Sequence, residues 1–206
     1  PSFTEVAHLP LEERILALAD PGRKARILAE STGKGFGRMF RLMDEGRKIW
    51  LMSDPPNYEP SPEDSLNAQA VARGLDPWSY IYDILLQNNG RSLLYTPFAN
   101  YAQNNLDCCR DMILHKDTVM GLGDGGAHVG TICDASFITS LITHWGRDRV
   151  RGEKIDLPTL IKCQSRDTAR AVDLTDRGTL EPGMKADVNI IDFENLSVRL
   201  PEIVND

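Results

Sequence analysis

In the stretch GLGDGGAHV, residues 121–129, a single carboxylate, Asp124, stands among four glycines, and His128 follows four residues later. A carboxylate held at the end of an apolar strand can take a proton from a nucleophile and return it to a leaving group, provided that it is ionised and fixed in direction. In a barrel of parallel strands the C-terminal strand ends face the place where chemistry happens. Gly121, Gly123, Gly125 and Gly126 remove side-chain bulk, so substrate or backbone can come close. The same Asp can instead cap the turn or helix that follows, through its side-chain oxygen. Spacing leaves both readings open. His128 has the spacing of a metal ligand, a substrate contact or a partner that orients the acid. His144, at the aromatic-flanked helix end THWG, reads as structural, and His8 and His115 as surface residues.

The elements around these residues alternate. PLEERILALAD and PGRKARILAE, between Leu9 and Glu30, carry apolar residues at helical spacing and open on proline, which predicts two short helices. KIWLMSDP reads as a strand stopped by Pro55 and Pro56. SPEDSLNAQAVARG reads as a helix capped by Ser61 and ended by Gly74, and DPWSYIYDILLQNNG as a helix capped by Asp76 and closed by Asn89-Gly90. RSLLYTPF predicts a strand, NNLDCCRDMILHK a helix, and TVMGLGD a strand that ends at Asp124. DASFITSLITHWG carries an apolar face, and LPTLIKCQSRDTARAVDL predicts a further helix begun by Pro158. Strand and helix in alternation point to an α/β sheet with parallel crossovers. Near Asp176 the pattern shifts to short β runs, Gly178–Leu180 and Ala186–Phe193, parted by EPGM, where Pro182-Gly183 suits a type II turn.

Composition removes several function classes. A net charge of −7 over 206 residues works against attraction to a phosphate backbone, so no nucleic-acid partner is expected. The most basic stretch, GRDRVRGEK, is interrupted by Asp148 and Glu153 and reads as a solvated connection. The glycines of STGKGFGRMF lack the pattern of a phosphate cradle and read as a loop. No apolar run reaches the length of about 20 residues that a bilayer span needs, and no signal core opens the chain; a cytoplasmic location with no membrane partner is expected. Cys108, Cys109, Cys133 and Cys163 show no C-x-x-C spacing and read as reduced thiols, the adjacent pair as half-buried helix residues.

GTLEPGMKADVNIID, residues 178–192, resembles the C-terminal signature of the amidohydrolase superfamily, G-x-[LIV]-x-x-G-x-x-A-D-[LIV], and DTARAVDLTDRG resembles the helix leading into it. Together with TVMGLGDGGAH, the likeness is to the N-acyl-D-amino-acid deacylase (D-aminoacylase) branch, whose eighth barrel strand ends in an Asp followed by Gly and, four positions on, His. It covers nearly the whole chain. The resemblance implies an α/β fold: the last part of a metal-dependent-hydrolase TIM barrel with a small α/β insertion and a C-terminal β-sandwich segment. Residues 1–47 are then barrel loops and helices, 48–116 the insertion, 117–176 the last barrel strand with its following helices, and 177–206 part of the sandwich. It further implies one or two divalent ions, usually zinc, with Asp124 as general base and acid and as a metal ligand. His128, Gly125 and Gly126 line the substrate or support the acid, and the substrate is a small N-acyl amino acid.

The family's His-x-His pair and its other metal ligands are absent from these 206 residues. The remaining ligands are therefore expected upstream of Pro1, and the chain is expected to be the C-terminal portion of a larger enzyme, inactive alone. A hydantoinase- or dihydroorotase-like hydrolase of cyclic amides shares the signature. A non-catalytic scaffold that keeps the fold is the reading from another class.

Overall fold

The computed structural model describes residues 2–30, 48–97, 99–121, 123 and 135–202. The chain divides into two compact units, Pro1–Asn104 with Glu202–Asp206, and Asn105–Pro201.

In the first unit the two N-terminal helices form where proline and acid place them: α1, Leu11–Leu18, and α2, Pro21–Ala29. Asp20 accepts a hydrogen bond from the Arg23 backbone N–H at 2.7 Å, and Pro21, which has no N–H to leave unpaired, begins the helix. The next helix differs in its start. Pro62–Asp64 form one turn of 3-10 helix, and it is Ser65, not Ser61, whose hydroxyl accepts from Ala68 N to cap α3, Leu66–Ala72. The acids after Pro62 tighten into their own turn, so the cap moves four residues along. Gly74 ends the segment at φ +69°, a left-handed conformation that glycine adopts without steric cost. Asp76 and Pro77 open α4, Pro77–Gly90, as the sequence predicts, and Asn88 and Asn89 take positive φ before Gly90.

Strands β1, Trp50–Leu51, and β2, Leu94–Tyr95, lie where strands are expected. They pair antiparallel, with Trp50 opposite Tyr95, so the expected parallel crossover is corrected. The core of this unit is Ile49, Leu66, Ile81 and Ile84, with Tyr80 and Leu94 against it. Each such side chain, taken out of water, contributes roughly 1.5–3 kcal/mol. Around the strands the aromatic side chains pack edge to face and also pair their polar tips. Trp50 Nε1 donates to Ser61 O at 2.8 Å, and Tyr101 OH, almost fully buried, to Pro60 O at 2.5 Å.

In the second unit, α5, Asp107–Leu114, precedes the glycine-rich stretch of the sequence. After that stretch come α6, Phe137–Ser140, and a π-helical continuation, Leu141–Asp148. The wider π turn shows in its closing bond, Arg149 N to His144 O five residues back at 2.9 Å. Asp156 accepts from Thr159 N at 3.0 Å to cap α7, Leu157–Lys162, which runs through a second π segment, Cys163–Asp167, into α8, Thr168–Ala171. Leu141, Trp145, Ile155 and Leu160 make the core, with Leu106, Cys109, Ile113 and Met120 packed against it.

Two β expectations are corrected among the described residues. Residues 118–121 and the runs Gly178–Leu180 and Ala186–Phe193 carry no strand pairing. A strand exists only where its N–H and C=O groups meet a neighbouring chain, and here they do not; Ile190 is 99% exposed. The EPGM turn does form: Met184 N donates to Glu181 O at 3.1 Å, and Gly183 stands at φ +92°, which the third position of a type II turn requires. The STGKGFGRMF loop lies outside the described residues.

Candidate active site

Asp124, Gly125, Gly126 and His128 lie outside the described residues, as does Cys133. At the end of α5 the Thr118 hydroxyl reaches the carbonyls of both Met112, which also accepts from His115 N, and His115, to which Thr118 N donates at 3.2 Å, so carbonyls at the helix terminus are met. Met120 then packs against the cluster built from Leu141, Trp145, Ile155 and Leu160. Leu141 and Trp145 belong to the π-helical segment that follows α6. The last apolar residue before the glycines and the first helix after them therefore share one core. A Cβ placed on Gly121 meets no atom within 4 Å, and Gly121 does not use left-handed backbone; what it supplies is open space beside the chain.

The stretch GRDRVRGEK is where the structure departs most from the sequence reading. Asp148, Val150, Gly152, Glu153 and Lys154 are exposed, as a solvated connection requires, but the arginines between them are engaged. The Arg149 side chain has no exposed surface; its Nη2 donates to Asp107 Oδ1 at 2.6 Å and its Nη1 to the Glu153 carbonyl at 2.8 Å. Its guanidinium carbon lies 4.8 Å from the centre of the Trp145 ring, the arrangement in which a cation is attracted to an aromatic face. Gly152 closes the other side: a Cβ there would stand 2.5 Å from Arg149 Cζ. Arg147 is likewise engaged, donating to the carbonyls of Phe193, Glu194 and Leu196 and to both oxygens of Asp148. That pairing holds the Asp148 carboxyl below the ordinary carboxylate range, against an opposing effect of burial. The alternation of acid and base that suggested solvent is a set of short-range and long-range pairs. The one local signal is Gly152, three residues after Arg149, where space is needed for a planar cation.

His144 lies in the π-helical segment with its ring edge-on to Trp145 at 5.0 Å, in keeping with a structural role, and His8 and His115 are exposed. Cys108 and Cys109 are half-buried in α5 and free of disulfides, as expected. Among the described residues no three His, Cys, Asp or Glu side chains gather in a way that would hold a metal ion. No helix among them is long and apolar enough to cross a membrane.

A family model described as "Amidohydrolase family" matches residues 1–206, the whole of the sequence. The chain belongs to the amidohydrolase family. No curated protein and no solved structure matched it. As an amidohydrolase family chain it falls among hydrolases that act on C–N bonds, whose members commonly bind divalent metals.

Proposed function

We propose that this amidohydrolase hydrolyses the acyl amide bond of N-acyl-D-amino acids, with Asp124 as the proton carrier. Water oxygen bonds to the acyl carbon as its proton passes to the Asp124 carboxylate. The C–N bond then breaks as that proton is delivered to the departing nitrogen, leaving a free carboxylic acid and a free amino acid. His128 touches substrate or orients Asp124, and Gly125 and Gly126 leave room for the acyl group. The fold proposed around them is the last part of a TIM barrel, with residues 48–116 as an α/β insertion and 177–206 as a β-sandwich segment. The metal proposed is zinc, one or two ions, with Asp124 beside it and its other ligands outside the described residues.

The observation that supports this reading is the coincidence of the TVMGLGDGGAH sequence with a family match over all 206 residues. The test is a side-by-side assay of the full-length protein on N-acetyl-D-amino acids, their L enantiomers and cyclic ureides. Hydrolysis of the D substrates in preference to the others is expected. Turnover confined to cyclic ureides would place the enzyme with the cyclic-amide hydrolases, and absence of turnover on all three would favour a scaffold.

A further inference from the structure

Helix α7 and the π segment that continues it carry two rows of side chains stepped by four residues, Leu157, Ile161 and Ser165 in one and Pro158, Lys162 and Arg166 in the other. Together with Gly178 and Thr179 they line a groove of about 490 Å³, within the range of small-molecule sites. The groove has a polarity. Leu157, Pro158 and Ile161 make one end apolar, and Lys162 and Arg166 make the other cationic. Ile161 is 40% exposed, so its side chain is open to a ligand rather than spent on the core. Gly178 walls the cationic end: at φ +87° its backbone lies so near the helix that a Cβ would stand 2.7 Å from Arg166 Cα.

The charges at that end do not balance. Arg166 Nε donates to Asp167 Oδ1 at 3.0 Å and Lys162 Nζ lies 3.6 Å from Asp167 Oδ2, so two cations share one carboxylate. Arg166 meets Asp167 through Nε; among the described residues its two terminal nitrogens have no acceptor and can grip a second carboxylate. Only 34% of that side chain is exposed, and a charge partly withdrawn from water beside apolar surface attracts an anion more strongly than one in open solvent.

We propose that this groove binds an aliphatic carboxylic acid, its alkyl chain on Leu157, Pro158 and Ile161 and its carboxylate on the terminal nitrogens of Arg166, with Lys162 beside it. The two ends select together. An alcohol of the same length loses the ion pair, and a short acid loses the apolar burial. An inorganic anion would match the charge and leave the apolar end bare. This assignment is independent of the reaction proposed above.

The test titrates the full-length protein with octanoate by calorimetry, beside acetate and octanol. Saturable octanoate binding with a dissociation constant of about 1 mM or tighter is expected, with acetate and octanol weaker by about tenfold or more. Hydrogen exchange in 157–167 should slow on addition of octanoate, while exchange in Pro77–Gly90 stays as in the free protein. Arg166→Gln is expected to weaken octanoate by about tenfold, and Ile161→Glu, which sets an acid at a solvent-open position on the chain's path, by at least as much. Should one variant fail to fold, the other decides. No saturable binding up to about 10 mM, equal affinity for octanoate and octanol, octanoate affinity unchanged in a folded variant, or protection confined to residues outside 157–179 each overturns the assignment.

Discussion

Replacing Gly152 by alanine tests the Arg149 enclosure from outside the cation. The added methyl would stand 2.5 Å from Arg149 Cζ and Nη2 and 2.7 Å from Nη1. Carbon atoms in contact sit about 3.5–4.0 Å apart, so the guanidinium must retreat by about 1 Å or more. It has little room to do so, with Trp145 on its face and Asp107 and the Glu153 carbonyl at hydrogen-bonding distance. Overpacking of this kind costs about 1–3 kcal/mol, and a charge-assisted bond lost in the process up to about the same, discounted because Asp107 is open to solvent. Alanine also restricts the unfolded chain, an offset of about 0.4–1 kcal/mol. A net loss of about 1–3 kcal/mol lowers Tm by about 2–12 °C for a chain of this size. Scanning calorimetry of Gly152→Ala beside Gly121→Ala reads the difference, since a Cβ at Gly121 meets nothing within 4 Å. Combining Gly152→Ala with Arg149→Met should cost less than the sum of the two, because the shorter side chain removes the collision. Equal, small shifts in both glycine variants, or strict additivity in the double variant, would refute the enclosure.

Ser65→Ala should cost about 1 kcal/mol, read as a fall of a few degrees in Tm, because the hydroxyl that accepts from Ala68 N is the cap of its helix. Leu160→Ala should cost about 2–5 kcal/mol by denaturant titration, since Leu160 has no exposed surface and touches the core that also holds Met120. Acid should unfold the protein through its carboxylates. Asp148 is held low by Arg147, Asp156 by Thr159, Asp176 by Arg177, Asp192 by Asn195 and Glu30 by Ser2. A depressed folded-state pKa gives stability that is present above the ordinary carboxylate value and lost as pH falls through the folded one. Melting temperature should therefore hold at neutral pH and drop from about pH 4 downward, and a flat profile to pH 2 would contradict these pairings.

Local signals carried the helices. Asp20-Pro21 and Asp76-Pro77 place an acceptor and a residue without N–H at helix starts, and both helices begin there. Gly183 in EPGM was legible for the same reason, since one residue sets the turn. What depends on distant partners was not. Ser61 and Ser65 are equal as caps until the acids between them fold into a 3-10 turn. Leu94 and Tyr95 say nothing about strand direction until Trp50 is opposite them. The burial of Arg149 needs Asp107, forty-two residues away, together with a glycine at position 152. The π-helical stretch around Trp145 has the apolar spacing of an ordinary helix and gives no advance sign of its wider turn. For the candidate site, residues 124–128 were legible in the sequence and lie outside the described residues.

The most direct measurement is turnover of the full-length enzyme carrying Asp124→Asn, with bound metal quantified in the same preparation. The account predicts metal content close to that of the parent and a fall in turnover of about 100-fold or more on N-acetyl-D-amino acids. Turnover at the parent rate with metal retained would contradict it.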